Sequence, residues 1–156
     1  MKVGIIGAGN IGSALARRLT TIGHEVSIAN SRGPETLQDL VAETGAQAVP
    51  ATEAAKGADI VIVTIPQKNI PDLPAGLLSG AAPGAAFVDT GNYYPRHRDG
   101  RIDALETGTP ETLWVQGRLG RPMVKAFNNI VSQHLQDLGK PAGTPGRIAT
   151  STKEIL

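Results

Sequence analysis

Short runs of consecutive apolar residues alternate along this chain with longer stretches whose apolar positions recur at helical spacing. The first run, residues 3–6, leads into a glycine-rich turn, and residues 10–22 then repeat apolar side chains every three or four positions. Continuously apolar runs are typical of parallel strands that are covered on both faces. The alternation therefore predicts an α/β fold, an open, doubly wound parallel sheet.

The same pattern predicts the remaining elements. Further strands are expected at residues 25–29, 47–49, 59–66, 85–89 and 123–127, and helices at 34–43, 109–118 and 130–138. Thr52 and Thr109 are expected to cap helices, because threonine hydroxyls accept hydrogen bonds from free N–H groups. Residues 67–78 are predicted to be only partly helical, residues 90–105 a long loop, and residues 147–149 the start of another strand. We expect one nucleotide-binding domain, residues 1–149, and a short tail, residues 150–156.

The turn after the first strand has the Gly-x-Gly-x-x-Gly spacing: Gly7-Ala8-Gly9-Asn10-Ile11-Gly12. In dinucleotide-binding folds the first glycine allows a tight turn, the second leaves room for a pyrophosphate, and the third lets the helix pack closely on the strand. The free N–H groups and positive dipole end of that helix attract phosphates. This spacing alone is a weak signal, but here an apolar strand precedes it and a helical pattern follows. The turn therefore predicts dinucleotide binding, and together with the alternation it predicts a Rossmann NAD(P)-binding fold.

The segment Asn30-Ser31-Arg32 follows the second strand, where an NAD-binding fold usually places an acidic residue on the ribose. Ser31 can donate its hydroxyl, and Arg32 offers a planar fork of donors to phosphate oxygens. A solvated arginine beside the turn Gly33-Pro34 is the alternative. We interpret the segment as a site for a 2′-phosphate, so that the expected cofactor is NADP(H).

Composition narrows the function further. Fifteen basic and fourteen acidic residues give a net charge of +1, which does not favour nucleic acid or an anionic membrane as a partner. Without cysteine the chain has no disulfide, thiol catalysis or zinc–thiolate site, and its three histidines share no ligand spacing, so no metal is expected. No run is long enough to span a bilayer, and the first lacks a signal-peptide pattern. We expect a cytoplasmic protein that acts on a small molecule.

Polar and aromatic residues follow the last strands, where an acceptor crevice is expected in this fold. Asn92, Asn128 and Asn129 can hydrogen-bond a carboxamide or a planar acceptor, and Tyr93 and Tyr94 can stack on one. Ordinary turn chemistry is the alternative for this segment. No catalytic residue is assigned, because in hydride transfer the cofactor carries the reactive atom.

Charged residues in the same region allow more than one interpretation. Asp89 is either a base or, as we favour, the cap of the following turn. Lys125 lies inside a predicted strand, where it either reaches solvent, pairs with a carboxylate or takes part in catalysis. A basic cluster in the long loop either attracts an anionic acceptor or is simply solvated; its members are Arg96, His97, Arg98 and Arg101.

Several motifs, in order, closely resemble the coenzyme F-420-dependent NADP oxidoreductase-like family. They are the glycine-rich turn, residues 29–35, the segment Asp89-Thr90-Gly91-Asn92-Tyr93-Tyr94-Pro95 and the segment Val124-Lys125-Ala126-Phe127-Asn128, and the resemblance covers nearly the whole chain up to Ala149. It implies hydride transfer between NADP(H) and the deazaflavin coenzyme F-420, a flavin or another small acceptor.

The resemblance also implies roles for individual residues. Ala8, Gly9, Asn10 and Ile11 would line the pyrophosphate, and Ser31 and Arg32 would hold the 2′-phosphate. Ile65 and Pro66 would cover a ribose, with Asn69 as a further candidate nearby. With Gly7, Gly12, Asn30 and Asn92, these are the predicted cofactor-binding residues.

Members of the family continue with a further strand and a C-terminal helical segment that help to form the acceptor site and the dimer, whereas this sequence ends at Leu156. Alternatives to a reductase therefore stay open. One is a non-catalytic module that binds NADP(H) or senses its redox state. Another is a shortened product whose stability depends on forming a homodimer.

Overall fold

The computed structural model describes residues 1–140 and 143–145, in which six strands form one sheet. The strands are β1 (Lys2–Ile6), β2 (Glu25–Ala29), β3 (Gln47–Ala48), β4 (Ile60–Val63), β5 (Ala86–Asp89) and β6 (Val124–Lys125). The helices are α1 (Asn10–Thr21), α2 (Gln38–Thr44), α3 (Asp103–Glu106), α4 (Glu111–Leu119) and α5 (Ser132–Asp137). Short 3₁₀ turns cover Pro34–Leu37, Ala51–Glu53 and Gln67–Asp72, and a single π turn covers Pro95–Asp99.

The sheet is parallel throughout and has the order β3-β2-β1-β4-β5-β6. The chain builds outward from β1 to β3 and then returns to place β4 on the other side of β1, where Ile5 lies between Ile28 and Ile62. This order confirms the predicted doubly wound Rossmann fold. In such folds ligands bind where the order reverses, beyond the carboxyl ends of the strands. Here that point lies beyond β1 and β4.

Apolar side chains cover both faces of the sheet. Val61 and Val63 of β4 belong to one core cluster, which includes Trp114 and Val115 of α4. Ile62, between them in sequence, belongs to the other cluster, together with Leu15 of α1. Successive side chains of a strand point to opposite faces, so burial on both faces explains why the strands read as continuously apolar.

Two predicted helix caps are wrong. Thr52 lies inside a 3₁₀ turn whose preceding residue is Pro50. Thr109 is replaced by Pro110 at the start of α4, and its own N–H donates to the Ala104 carbonyl. In both places a neighbouring proline, whose φ angle suits the entry to a helical turn, sets the boundary.

The long loop and several boundaries also differ from the prediction. Residues 90–105 contain the π turn and the start of α3, and the predicted helix at 34–43 begins as a 3₁₀ turn. The strands predicted at 59–66 and 123–127 are shorter at both ends, and residues 64–66 and Phe127, which follow the observed strands, form walls of a cavity. The predicted strand at residues 147–149 and the tail at 150–156 lie outside the described residues.

Candidate functional site

Two adjoining cavities open beyond the carboxyl ends of β1 and β4. The first, called here the Arg32 cavity, has a volume of about 540 Å³ and is bordered by the glycine-rich turn, residues 29–32 and residues 69–73. The second, the Asn92 cavity, has a volume of about 680 Å³ and is bordered by residues 90–92 and 127–132. Both share Gly9 and the segment Thr64-Ile65-Pro66. Together they form one elongated space with Gly9 at its middle.

Each glycine of the turn is required for a different structural reason. Gly7 has a φ of +113°, and a Cβ there would lie 2.3 Å from the Thr64 carbonyl oxygen. A Cβ at Gly12 would lie 1.9 Å from the Gly7 carbonyl oxygen, so Gly12 is buried beside the turn and does not line either cavity. A Cβ at Gly9 would meet nothing within 4 Å. Gly9 is thus the member of the motif whose lack of a side chain keeps space open.

The loop after β2 is shaped by Asn30. Its side-chain oxygen accepts the Arg32 N–H at 2.9 Å, and its Nδ2 donates to the Thr36 hydroxyl at 2.8 Å. The Ser31 hydroxyl and the Arg32 guanidinium, both exposed, have no hydrogen-bond or ion-pair partner within residues 1–140 and 143–145. The predicted 2′-phosphate residues therefore face the cavity unengaged, whereas the Asn30 side chain is used to hold the loop.

Residues after β4 form the wall between the two cavities. Ile65 and Pro66 border both spaces, and Asn69 borders only the Arg32 cavity. Sequence analysis missed several other lining residues: Ala51, Asp72 and Leu73 in the Arg32 cavity, Ile130, Val131 and Ser132 in the Asn92 cavity, and Thr64 in both. No motif distinguishes these residues, because they reach the cavities through the tertiary fold.

An asparagine pair joins two walls of the Asn92 cavity. Asn92 Nδ2 donates to the Asn128 carbonyl oxygen at 2.7 Å, and Asn128 Nδ2 donates to Asn92 Oδ1 at 3.4 Å. Phe127, just before Asn128, has a φ of +63° and is the one non-glycine residue in the described part of the chain with a positive φ. A bulky residue rarely adopts this conformation. It turns the chain out of β6 towards Asn92.

Beneath the loop that lines this cavity lies a network of ionic contacts. Lys125 Nζ donates to Asp89 Oδ2 and to Glu111 Oε2, each at 2.9 Å. The Asp89 side chain is 2% exposed and that of Lys125 12%. The predicted pairing of Lys125 with a carboxylate is confirmed, and so is the turn role of Asp89, whose Oδ1 accepts the Gly91 N–H at 2.8 Å.

A further carboxylate, that of Asp99, lies at the end of the π turn. It accepts the N–H groups of Tyr94, at 2.8 Å, and Lys68, and its side chain is fully buried against the Arg98 guanidinium. Burial raises the pKa of Asp99, but the hydrogen bonds from Arg98 and from those two N–H groups outweigh it and hold the pKa below its ordinary value. Asp99 therefore stays ionised in neutral solution.

The two tyrosines have different environments. Tyr94 borders the Asn92 cavity, and its ring lies 5.1 Å from the Arg98 guanidinium carbon. Tyr93 does not line the cavity: its hydroxyl donates to Glu106 at 2.9 Å and accepts the Ile102 N–H. The expectation that Tyr93 stacks on an acceptor is therefore wrong. Arg98 is the member of the predicted basic cluster that lines the cavity, whereas Arg101 pairs with Asp103 at the surface.

None of the helices in the described residues is long and apolar enough to cross a membrane. The same residues hold no group of three or more histidine, cysteine, aspartate or glutamate side chains arranged to bind a metal ion.

The family model and the relative that match this chain are both described as oxidoreductases. Residues 2–93 match the model of the coenzyme F-420-dependent NADP oxidoreductase family. The whole chain aligns, at 44% identity, with an uncharacterised oxidoreductase, YfjR, from Bacillus subtilis, and spans 62% of the length of that protein.

Solved structures with a similar fold include a hypothetical protein, SMa0349, from Sinorhizobium meliloti. It has 33% identity and a TM-score of 0.70, over 87% of this chain and 65% of the other. A candidate F-420-dependent NADP reductase from Arthrobacter sp. FB24 has the same TM-score of 0.70 at 23% identity, over 92% of this chain and 69% of the other. At that identity the second likeness is one of fold.

Proposed function

The chain belongs to the family of coenzyme F-420-dependent NADP oxidoreductases, and from that premise we propose that it binds NADP(H) and transfers hydride between this cofactor and a small acceptor. The acceptor class that we propose is a deazaflavin such as coenzyme F-420, or a flavin. The observation that carries the proposal is the single elongated space beyond β1 and β4, with unengaged phosphate-binding groups at one end and a polar, aromatic cavity at the other.

The Arg32 cavity suits the adenosine half of the cofactor. The Arg32 guanidinium, which has no partner within the described residues, is free to make charge-assisted hydrogen bonds to a 2′-phosphate. The Ser31 hydroxyl adds another donor beside it. Ile65, Pro66 and Leu73 supply apolar walls along the same cavity. A carboxylate at the position of Arg32 would repel the phosphate, so this end favours NADP(H) over NAD(H).

The middle of the space suits a pyrophosphate. A Cβ at Gly9 would project into open space, so the glycine allows the phosphates to approach the main chain. The N-terminus of α1 directly follows, and the helix contributes N–H groups and the positive end of its dipole.

The Asn92 cavity suits the nicotinamide and the acceptor. The bound cofactor supplies the reactive carbon, so the residues of this chain need only orient the two rings and exclude water. The amides of Asn92 and Asn128 provide polar edges, Tyr94 provides an aromatic face and Ile130 and Val131 provide apolar surface. Arg98 borders the same cavity, where its pairing with Asp99 leaves it as a polar group of the rim.

The test is a calorimetric titration of the protein with NADPH, NADP and NADH, followed by an absorbance assay of NADPH oxidation with coenzyme F-420 and with FMN. We expect micromolar binding of NADPH, weaker binding of NADH, and turnover with one of the acceptors. Equal affinity for NADPH and NADH would contradict the 2′-phosphate site. Tight binding of NADPH without turnover would contradict the reductase and favour a cofactor-binding module instead.

A further inference from the structure

The loop that lines the Asn92 cavity is held from below by carboxylates. Asp89 Oδ1 accepts the N–H of Gly91 at 2.8 Å, and Glu111 Oε1 accepts the N–H of Tyr93 at 3.0 Å. Gly91, which makes the first contact, and Asn92, which lies between the two contacts, border the cavity. The position of this wall therefore depends on two carboxylates that do not line the cavity themselves.

One ammonium group joins the two carboxylates. Lys125 Nζ donates to the second oxygen of each, Asp89 Oδ2 and Glu111 Oε2, both at 2.9 Å. Each carboxylate thus uses one oxygen for Lys125 and the other for the main chain of the loop. Loss of the ammonium would leave two neighbouring carboxylates without a cation. That loss is costly because the Lys125 and Asp89 side chains are almost fully buried, where water cannot replace the cation.

The loop also fits tightly on this network. Gln67 is completely buried, and its Nε2 reaches Glu111 Oε2 at 3.4 Å. A Cβ at Gly91 would lie 2.8 Å from Gln67 Nε2 and 3.0 Å from Asp89 Oδ1. The main chain at Gly91 therefore rests directly on the network, and a shift of the carboxylates would be transmitted to the cavity wall.

We propose that Lys125 is a positioning residue: by joining Asp89 and Glu111 it fixes the main chain of residues 91–93 and thereby the half of the cofactor site formed by the Asn92 cavity. The inference rests on the proposed function for the identity of the ligand, but the placement of the loop does not depend on that ligand. Lys125 lines neither cavity and touches no reacting group.

The first experiment measures amide hydrogen exchange in the unliganded protein. In Lys125→Met, which keeps most of the side-chain length but removes the charge, we expect the Gly91 and Tyr93 amides to exchange at least about tenfold faster than in the wild type. The Gly7 amide, which donates to the Ala29 carbonyl at 2.8 Å in another part of the sheet, is the internal control and should not change. Unchanged exchange at Gly91 and Tyr93, or equal acceleration at Gly7, would overturn the proposal.

The second experiment separates the two cavities with two ligands. We expect Lys125→Met to bind NADPH about tenfold or more weakly, a change of 1.4 kcal/mol or more, while its affinity for the fragment 2′,5′-ADP stays within about twofold of the wild type. Lys125→Arg, which keeps the cation, should recover part of the NADPH affinity. Equal loss for both ligands would mean that Lys125 acts only through general stability. No recovery with arginine would mean that the positive charge is not what positions the loop.

Glu111→Ala tests the same arrangement with less risk to folding, because the Glu111 side chain is 31% exposed. It should accelerate exchange at Tyr93 more than at Gly91, whose N–H is held by Asp89. Equal effects on both amides would contradict an arrangement in which each carboxylate holds its own amide. If the wild type binds neither NADPH nor 2′,5′-ADP, the proposed function fails, and the exchange measurements still decide whether Lys125 positions the loop.

Discussion

The Arg32 cavity and the Asn92 cavity adjoin each other, but they are held in shape by different interactions. The first lies at the ends of β1, β2 and β4, and its loop is held by the local contacts of Asn30 with Arg32 and Thr36. The second depends on Lys125, which joins Glu111, 14 residues away, to Asp89, 36 residues away. The asparagine pair across this cavity also spans 36 residues.

This difference suggests that binding of the cofactor and placement of the reacting rings depend on different contacts. The contacts that hold the Arg32 cavity's loop lie within six residues of one another, and we propose this cavity for the part of the cofactor that stays the same from one reaction to another. The contacts that hold the Asn92 cavity join distant parts of the chain, and we propose this cavity for the two rings between which hydride moves. The comparison predicts that substitutions in the two cavities will affect different ligands and different properties.

The largest effect is expected where the turn and α1 meet. In Gly12→Ala the new Cβ would meet the Gly7 carbonyl oxygen at 1.9 Å, so the helix must shift. We expect a loss of about 1–3 kcal/mol or more in the free energy of unfolding, measured with urea, because overpacking forces the main chain to move. NADPH binding should be lost as well.

Gly9→Ala is the matched control for this substitution. Its Cβ would meet nothing within 4 Å, and the Gly9 φ of −77° suits alanine. The free energy of unfolding should therefore change little, while NADPH affinity falls by on the order of tenfold, because the Cβ would stand where the pyrophosphate approaches. Equal loss of stability in the two variants would contradict the different roles assigned to the two glycines.

Arg32→Ala should affect one cofactor far more than the other. It removes a charge-assisted contact to the 2′-phosphate, and we expect the binding free energy of NADPH to weaken by about 1.5–3 kcal/mol while that of NADH barely changes. Calorimetry on the variant gives both values. Arg101→Ala removes the same charge from the surface and should leave both affinities as they are. Equal losses for NADPH and NADH in Arg32→Ala would place the 2′-phosphate elsewhere.

Asn92→Ala tests the asparagine pair on the other side of Gly9. It removes the 2.7 Å contact with the Asn128 carbonyl, for which we expect a loss of about 0.5–1.5 kcal/mol in the free energy of unfolding. NADPH affinity should fall while 2′,5′-ADP affinity stays constant, since only the Asn92 cavity changes. A parallel fall in both affinities would mean that the two cavities are not independent.

The smallest expected effect is a change in the free energy of unfolding at acidic pH. The pKa of Asp99 is lowered in the folded protein, so its stabilising contribution is complete above its ordinary value of 3.8 and is lost as the pH falls through the lowered value. Asp99→Asn should therefore be less stable than the wild type at pH 5, and the difference should narrow below pH 3.8. Urea unfolding across this range measures it, and a constant difference would contradict the assigned ionisation.

The sequence predicts the Arg32 cavity better than the Asn92 cavity for the same physical reason. The glycine turn, the apolar strands and the segment Ser31-Arg32 are local patterns whose consequences follow from nearby residues. Lys125 is noticeable as a charge inside a strand, but nothing local indicates that Glu111 meets it. Asp99 and the π turn stay hidden in what looks like a polar loop, and Thr109 resembles a helix cap until Pro110 takes that place.

The loop after β2 keeps its shape through Asn30 and Thr36, whereas the side chains of Ser31 and Arg32 support no other part of the described structure. The residues that we propose select the cofactor are thus separate from the residues that hold the loop. Exchange of Ser31 and Arg32 for other polar residues carries little folding penalty, so cofactor preference is free to drift in evolution or to be redesigned in the laboratory. On the proposed cofactor assignment, this short segment is therefore where substitutions would exchange a preference for NADP(H) for a preference for NAD(H) without loss of the fold.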